Sequence, residues 1–132
     1  MRFLPFAVAF VGILLAVILA ADTGRLGPLE EVYSFRYGDK AGHFAMLGML
    51  TLLIDLAMFQ VSPRRGPLTL ILTAGLTIAA LISLEELSQL WIPRRNPDVF
   101  DLLASHAGIV TASLLALALR GQVSKPATRG AA

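Results

Sequence analysis

Four long apolar stretches, separated by short polar ones, account for most of the chain. Residues 3–21 and 66–84 contain no charged residue, and residues 41–63 and 102–119 contain few ionisable ones. A helix of about 20 apolar residues is long enough to cross the ~30 Å hydrocarbon core of a membrane. The pattern therefore predicts four transmembrane helices.

Capping signals at the ends of these stretches indicate where each helix begins and ends. Gly66-Pro67 and Asn96-Pro97 each place a cap-competent residue before a proline at the first helical position, where the missing N–H does no harm. We expect Asp39 to cap the second helix and Gly121 to end the fourth. The predicted helices span residues 3–21, 40–61, 67–91 and 97–120.

The first apolar stretch has two interpretations, a cleaved signal peptide and a retained helix. Its basic start and apolar run are typical of a signal peptide. However, the apolar run is longer than usual, and Ile18-Leu19-Ala20 lacks a small residue at one of the two positions where cleavage prefers one. We therefore favour a retained helix.

The composition indicates a membrane-embedded protein. Of 132 residues, 56% are hydrophobic and 15% are charged, and the mean hydropathy is +0.73, which is too apolar for a soluble domain of this size. The predicted fold is an all-α integral membrane bundle, residues 1–121, followed by a basic tail, residues 122–132, that we expect to be disordered. The chain has no cysteine, so disulfides are excluded.

The basic residues favour one orientation in the membrane. If the N-terminus is cytoplasmic, six basic residues face the cytoplasm and five face outward, and the six lack acidic neighbours. We predict that both termini are cytoplasmic and that the protein resides in the cell membrane. Lys125 and Arg129 are then expected to meet anionic membrane lipid, and no nucleic acid partner is predicted.

The first loop has helical periodicity of its own. Leu29, Val32, Tyr33 and Arg36 share one face of a short amphipathic helix, and Tyr37 also suits the headgroup zone. We predict an interfacial helix that covers the outer surface. A simple aromatic anchor is the alternative.

Small residues and a short loop predict how the helices pack. Ala104, Gly108, Ala112 and Ala116 form a stripe on the fourth helix that suits close contact with a neighbouring helix. The short turn over residues 92–96 makes the third and fourth helices antiparallel neighbours.

Polar residues concentrate where the second helix begins, the third ends and the fourth begins, and four crossings place these three helix ends on one side. Five acids, Asp39, Glu85, Glu86, Asp98 and Asp101, outnumber three bases, Lys40, Arg94 and Arg95. The excess carboxylates would have to be hydrated, protonated or neutralised by a cation, which favours a functional site. A structural salt-bridge cluster between helix ends is the alternative.

The same residues resemble the VanZ-like membrane proteins. That family's pattern reads Asp-Lys-x-x-His, Glu-x-x-Gln, Arg-x-x-x-x-x-Asp and Asn-x-x-Gly. The chain has DKAGH at residues 39–43, ELSQ at residues 86–89, RNPDVFD at residues 95–101 and Gly108, with Ser105 in place of the asparagine. The resemblance covers residues 39–108, and it implies a few-helix membrane protein whose founding member is associated with resistance to teicoplanin.

Physical chemistry predicts a role for each residue of this set. Arg95 and Lys40 suit an anionic group of a lipid-linked envelope molecule, such as a cell-wall precursor. Glu86 suits proton transfer because its depth disfavours the charged form, and His43 would share that work or ligate a metal. The predicted catalytic residues are Glu86, His43 and Asp101. The predicted ligand-binding residues are Asp39, Lys40, Gln89, Arg95, Asp98 and Ser105.

Several interpretations of the cluster remain open. A metal site of His43, Glu86, Asp98 and Asp101 is the less favoured, because the sequence lacks a His-x-x-x-His spacing. No cofactor is identified, and neither is the oligomeric state. The pocket would bind or act on an anionic or lipid-linked envelope molecule, or else the chain is a non-catalytic scaffold.

Two ionisable residues are expected to lie outside the cluster. Asp55 lies about two turns from the cytoplasmic end of its helix, where we expect it to reach water or to meet Arg64 or Arg65 in a structural role. His106 is rotated about 100° from Ser105, so we expect it to face another helix.

Overall fold

The computed structural model describes residues 2–28, 31, 35–93 and 95–123. Within these residues the regular structure is helical. Helix α1 spans Leu4–Asp22, α2 spans Gly38–Val61, α3 spans Pro67–Ser88 and α4 spans Val99–Val123, and a short 3-10 helix, Gln89–Trp91, extends α3. Each of the four α-helices is long and apolar enough to cross a membrane, so the prediction of four long apolar helices is confirmed.

The starts of α2 and α3 test two of the predicted caps. Gly66 is the residue before α3 and Pro67 is its first residue, as predicted. Helix α2 instead begins at Gly38, and Asp39 lies within its first turn, so the prediction that Asp39 caps this helix is wrong. A carboxylate in the first turn is still favourable there because it faces the positive end of the helix dipole.

The ends of α4 also differ from the prediction. Asp98, and not Asn96, caps the helix, since Asp98 Oδ1 accepts a hydrogen bond of 2.8 Å from the backbone N–H of Phe100. At its other end α4 continues through Gly121 to Val123, because nothing there forces the backbone out of the helical conformation. The predicted stop at Gly121 is therefore wrong.

Helices α2 and α4 pack against each other most closely. A Cβ atom on Gly108 would clash with the carbonyl oxygen of Phe44, and one on Gly48 would lie 3.3 Å from the carbonyl oxygen of Gly108. Ala112 and Ala116, further along α4, are buried. The predicted stripe of small residues therefore allows the two backbones to approach each other.

Two apolar clusters form the core where α2, α3 and α4 meet. One contains Leu47, Leu50, Ile78, Ile82 and Ile109, and the other contains Leu56, Phe59, Leu70, Ile71 and Ala116. Helix α1 lies at the periphery, with Phe10 and Leu14 packed against the first cluster and Phe3 against the second. Most of its large side chains are exposed, as expected for a helix surrounded by lipid.

The predicted interfacial helix cannot be followed through the first loop. Leu29, Val32 and Tyr33, which define its apolar face, lie outside the described residues. In the part of this loop that the structure describes, the guanidinium carbon of Arg36 lies 5.5 Å from the centroid of the Tyr37 ring. The interfacial helix stays a prediction.

Candidate functional site

The polar end of the bundle is the end where α1 and α3 finish and α2 and α4 begin. Lys40, in the first turn of α2, donates hydrogen bonds of 2.8 Å to Asp98 Oδ2 and 2.9 Å to Asp101 Oδ1. Both aspartates belong to the start of α4. The convergence of these helix ends, expected from the topology, is therefore present, and one ammonium group joins two carboxylates across it.

The pKa of Asp98 reflects these contacts. The hydrogen bond from Lys40 and the one from the Phe100 N–H both favour the charged carboxylate, and they hold the pKa of Asp98 below its ordinary value of 3.8. A lowered pKa in the folded state means that the unfolded chain binds the proton more tightly. The stability that Asp98 contributes is thus present above pH 3.8 and is lost as the pH falls below that value.

His43 lies one turn further along α2, between a hydroxyl and a carboxylate of α4. Its Nδ1 atom is 3.2 Å from Ser105 Oγ, and its Nε2 atom is 3.9 Å from Asp101 Oδ2. Ser105 is fully buried, so its hydroxyl orients the imidazole and is not placed to attack a ligand. An imidazole beside a carboxylate can hold or pass a proton.

Glu86 joins the end of α3 to the start of α4. Its Oε1 atom accepts a hydrogen bond of 2.8 Å from the backbone N–H of Asp98, and its Oε2 atom accepts one of 3.3 Å from Gln89 Nε2. The side chain is buried. These contacts give Glu86 a structural role, and the catalytic role predicted for it remains a prediction.

Arg95 has looser contacts than Lys40. Its Nε atom lies 3.6 Å from Asp22 Oδ1, and its Nη2 atom lies 3.5 Å from Glu85 Oε1. Gln89 Nε2 lies 3.1 Å from both carboxylate oxygens of Glu85. The Nε atom of Arg95 and the Oδ1 atom of Asp22 are buried without a hydrogen-bond partner. These two atoms lie opposite each other, so the Arg95–Asp22 contact is an ion pair slightly longer than a hydrogen bond.

A cavity of about 670 Å³ opens at the polar end between α1, α2 and α3. One part of its wall, the apolar half, consists of apolar side chains, among them Leu14, Val17, Ile18, Met46, Leu47 and Ile82. Five predicted site residues line it: Asp39, His43, Gln89, Arg95 and Asp101. Four others lie outside its wall: Lys40, Glu86, Asp98 and Ser105. The volume is in the range of small-molecule sites.

Sequence reasoning missed Glu85 and Asp22 as residues of this site, and it also missed Arg36 and Asn96, which line the cavity. Glu85 lines the cavity, although the motif drew attention to its neighbour Glu86. Its i,i+4 relation to Gln89 was the available signal, since such pairs share a helix face. Asp22 contacts Arg95 from the end of α1, and its position at the edge of the first apolar stretch placed it on the same side.

The described residues do not form a metal centre. Among them, no group of three or more histidine, aspartate and glutamate side chains is arranged to hold an ion. Glu86 accepts a hydrogen bond from a backbone N–H, and Lys40 donates to two aspartates. These contacts stabilise three of the five carboxylates in the cluster. Arg94, which was counted in that balance, lies outside the described residues.

Asp55 does not behave as predicted. Its side chain is fully buried, and its Oδ2 atom accepts a hydrogen bond of 2.9 Å from Ser113 Oγ on α4, so it reaches neither water nor the exposed Arg64 and Arg65. The close packing of α2 on α4 encloses this face. His106 lies apart from the cluster, with Nδ1 at 2.7 Å from the carbonyl oxygen of Leu102 in its own helix.

Comparisons with known proteins do not assign the chain to a family. No family model matches the chain, and neither the curated proteins nor the solved structures provide a match. The resemblance of residues 39–108 to VanZ-like proteins therefore stays a prediction.

Proposed function

We propose that the chain is a VanZ-like multi-pass membrane protein of the cell envelope that binds a lipid-linked envelope molecule in the cavity at the polar end. The observation that carries this proposal is the position of Arg95. It lies at the polar end of a cavity whose wall also includes apolar side chains of helices long enough to span a membrane. A ligand with an acyl or prenyl chain and an anionic head group matches both parts of that wall.

The two cations predicted to hold an anion differ in how available they are. Lys40 makes two short contacts with carboxylates and lies outside the cavity wall. Arg95 lines the cavity, and its two ion-pair contacts are longer than 3.4 Å. A guanidinium also matches phosphate or carboxylate oxygens better than an ammonium does. Arg95 is therefore the anion-binding residue of this proposal.

The apolar half of the cavity suits the chain of the ligand. Val17 and Ile18 of α1 line it together with Met46 of α2 and Ile82 of α3. Because α1 packs at the periphery, a lipid chain can enter beside it without breaking the core formed by the other three helices. Burial of an apolar chain contributes about 0.8 kcal/mol for each CH₂ group removed from water.

His43 and Asp101 complete the proposed site. Both line the cavity, and they are the pair that can exchange a proton with a bound head group. The predicted role of this protein in teicoplanin susceptibility follows from the family resemblance and rests on the same site.

A non-catalytic scaffold is the second candidate, and a specific set of contacts favours it. Lys40 with its two aspartates, and Glu86 with the Asp98 N–H, link α2, α3 and α4 through side chains that bond to one another. Such a network can simply hold helix ends together. A scaffold of this kind requires no bound ligand. Measuring whether the purified protein retains a lipid therefore distinguishes the two candidates.

The lipid that stays with the purified protein tests the proposal. The protein is purified from membranes in mild detergent, and bound lipids are identified by native mass spectrometry. We expect the wild type to retain an anionic or polyprenyl lipid and Arg95→Gln to retain about ten-fold less, a loss of about 1.4 kcal/mol. The control is Arg25→Gln, which removes an exposed charge at the same end and should retain the wild-type amount. Equal retention by all three proteins would favour the scaffold.

A second pair of variants tests the apolar half without changing charge. Ile18→Trp fills the cavity from α1, whereas Ile13→Trp enlarges an exposed position on the same helix. We expect Ile18→Trp to lower lipid retention and Ile13→Trp to leave it unchanged. If Ile18→Trp retains as much lipid as the wild type, the chain of the ligand does not occupy this cavity.

A further inference from the structure

The basic end of the bundle, opposite the polar end, contains a second and smaller cavity of about 230 Å³. It lies where α2 ends, α3 begins and α4 ends. Its wall consists of Phe59, Ser62, Pro63, Arg65, Leu70 and Arg120. None of these residues belongs to the site at the polar end.

Two arginines from separate parts of the fold line this cavity. Arg120 comes from the last turns of α4, and its guanidinium carbon lies 6.0 Å from the centroid of the Phe59 ring, a distance suited to a cation–π contact. Phe59 is buried, so core packing holds the ring that contacts the guanidinium in place. Arg65 comes from the turn between α2 and α3. The fold thus holds one cation over an aromatic surface and brings a second to the same small cavity.

The sequence supplies no acid near these arginines. Residues 56–84 and 102–123, which include the end of α2, the start of α3 and the end of α4, contain neither aspartate nor glutamate. The nearest acid in the chain, Asp55, is fully buried against Ser113. No ion pair joins Arg65 or Arg120 to a carboxylate in the part of the chain that the structure describes. An anion from outside the chain would supply the missing countercharge.

The start of α3 beside this cavity favours an anion as well, through the dipole of the helix. Helix α3 begins at Pro67 after Gly66, and no side chain caps its first turn. The first N–H groups of a helix lack intrahelical partners and lie at the positive end of its dipole. Leu70, the fourth residue of α3, lines the cavity, and its own N–H donates to the carbonyl oxygen of Gly66. The cavity therefore combines two guanidinium groups, a serine hydroxyl and the start of a 22-residue helix.

We propose that this cavity binds a phosphate group, and that Arg65 and Arg120 are its principal ligands. Guanidinium groups bind phosphate oxygens through paired charge-assisted hydrogen bonds, and helix N-termini favour the same anion. The site lies at the end of helices long enough to span a membrane, where phospholipid head groups carry phosphate. A free phosphate has the same chemistry, so the experiment distinguishes the two sources.

Binding of phosphatidylglycerol to the full chain in detergent, followed by native mass spectrometry, tests the site. We expect the double variant Arg65→Gln/Arg120→Gln to bind about ten-fold less tightly than the wild type, which corresponds to about 1.4 kcal/mol. The matched control is Arg64→Gln, which removes the same charge from the same turn but does not line the cavity. Arg25→Gln, which removes an exposed charge at the other end and lines neither cavity, should leave this binding unchanged.

Adding inorganic phosphate identifies the source of the anion. Displacement of the lipid by millimolar phosphate indicates that the anion alone is recognised, and persistence of the lipid indicates a phospholipid site. Equal loss in Arg64→Gln and in the double variant would overturn the proposal, since it would mean diffuse attraction to a basic surface. Unchanged binding in the double variant would overturn it too. If the double variant does not fold, Arg65→Gln, at an exposed turn position, provides the same comparison.

Discussion

Two neighbouring glutamates at the end of α3 show how much one position along a helix changes a residue's role. Successive residues are separated by about 100° around a helix. Glu85 therefore lines the cavity and contacts Arg95, whereas Glu86 is buried against the start of α4 and accepts the Asp98 N–H. The motif that drew attention to Glu86 identified a residue that positions the site and lies outside the cavity wall.

This structural role predicts how Glu86 responds to substitution. Glu86→Ala should lower the free energy of unfolding by about 1–3 kcal/mol, because it leaves the N–H of Asp98 without an acceptor in a partly buried place. Glu86→Gln keeps an oxygen at that position and should lose much less. Thermal unfolding in detergent, followed by circular dichroism, compares the two. Equal losses would show that the charge of Glu86, and not its acceptor oxygen, stabilises the fold.

At the scale of the elements, the contact between α2 and α4 decides where the site lies. The absence of a side chain at Gly108 lets the carbonyl oxygen of Phe44 approach α4, one turn from the fully buried Ser105. Lys40 and His43 of α2 then meet Asp98, Asp101 and Ser105 of α4. A wider separation would break these contacts together.

A larger residue at Gly108 should therefore destabilise the fold. Gly108→Ala places a Cβ against backbone atoms, and overpacking of this kind costs about 1–3 kcal/mol because a backbone cannot move aside as a side chain does. The control is Gly12→Ala on α1, where no atom lies within 4 Å of the added Cβ, and it should keep the melting temperature. A Gly108→Ala protein as stable as the wild type would mean that the two helices are further apart than described here.

At the scale of the whole molecule, acids and bases are distributed unevenly between the two ends. Apart from the buried Asp55, the acids that the structure describes belong to the polar end or to the loop that follows α1, while Arg65 and Arg120 lie at the basic end. This asymmetry gives the bundle two different surfaces. Because the chain has no cysteine of its own, labelling of introduced cysteines can test which helix ends share a side of the membrane.

Single cysteines introduced at exposed positions test that arrangement. Arg25→Cys and Asn96→Cys lie toward the polar end, and Arg64→Cys and Gly121→Cys lie at the basic end. We expect a membrane-impermeant maleimide on intact cells to label the first two and to label the other two only after permeabilisation, which is the predicted orientation with cytoplasmic termini. Reversed labelling would correct the orientation. Labelling of Arg25→Cys and Asn96→Cys from opposite sides would contradict the four-helix arrangement.

The sequence by itself determined the four helices, their bounds to within three residues and the end at which the polar residues gather. Apolar length sets where a helix can cross a membrane, and the number of crossings sets which helix ends share a side, so neither needs tertiary information. Lys40, Asp98 and Asp101 were predicted to lie together for this reason, and they do.

Only the tertiary structure decided how the side chains at that end divide their contacts. The rotation of α3 about its axis places Glu85 beside Arg95 and Glu86 beside the start of α4. The close packing of α2 on α4 buries Asp55 against Ser113. The peripheral position of α1 brings Asp22 to Arg95 and leaves a cavity beside it. Each of these outcomes depends on helix rotation and separation, which are set by contacts between residues distant in sequence, and local patterns do not contain them.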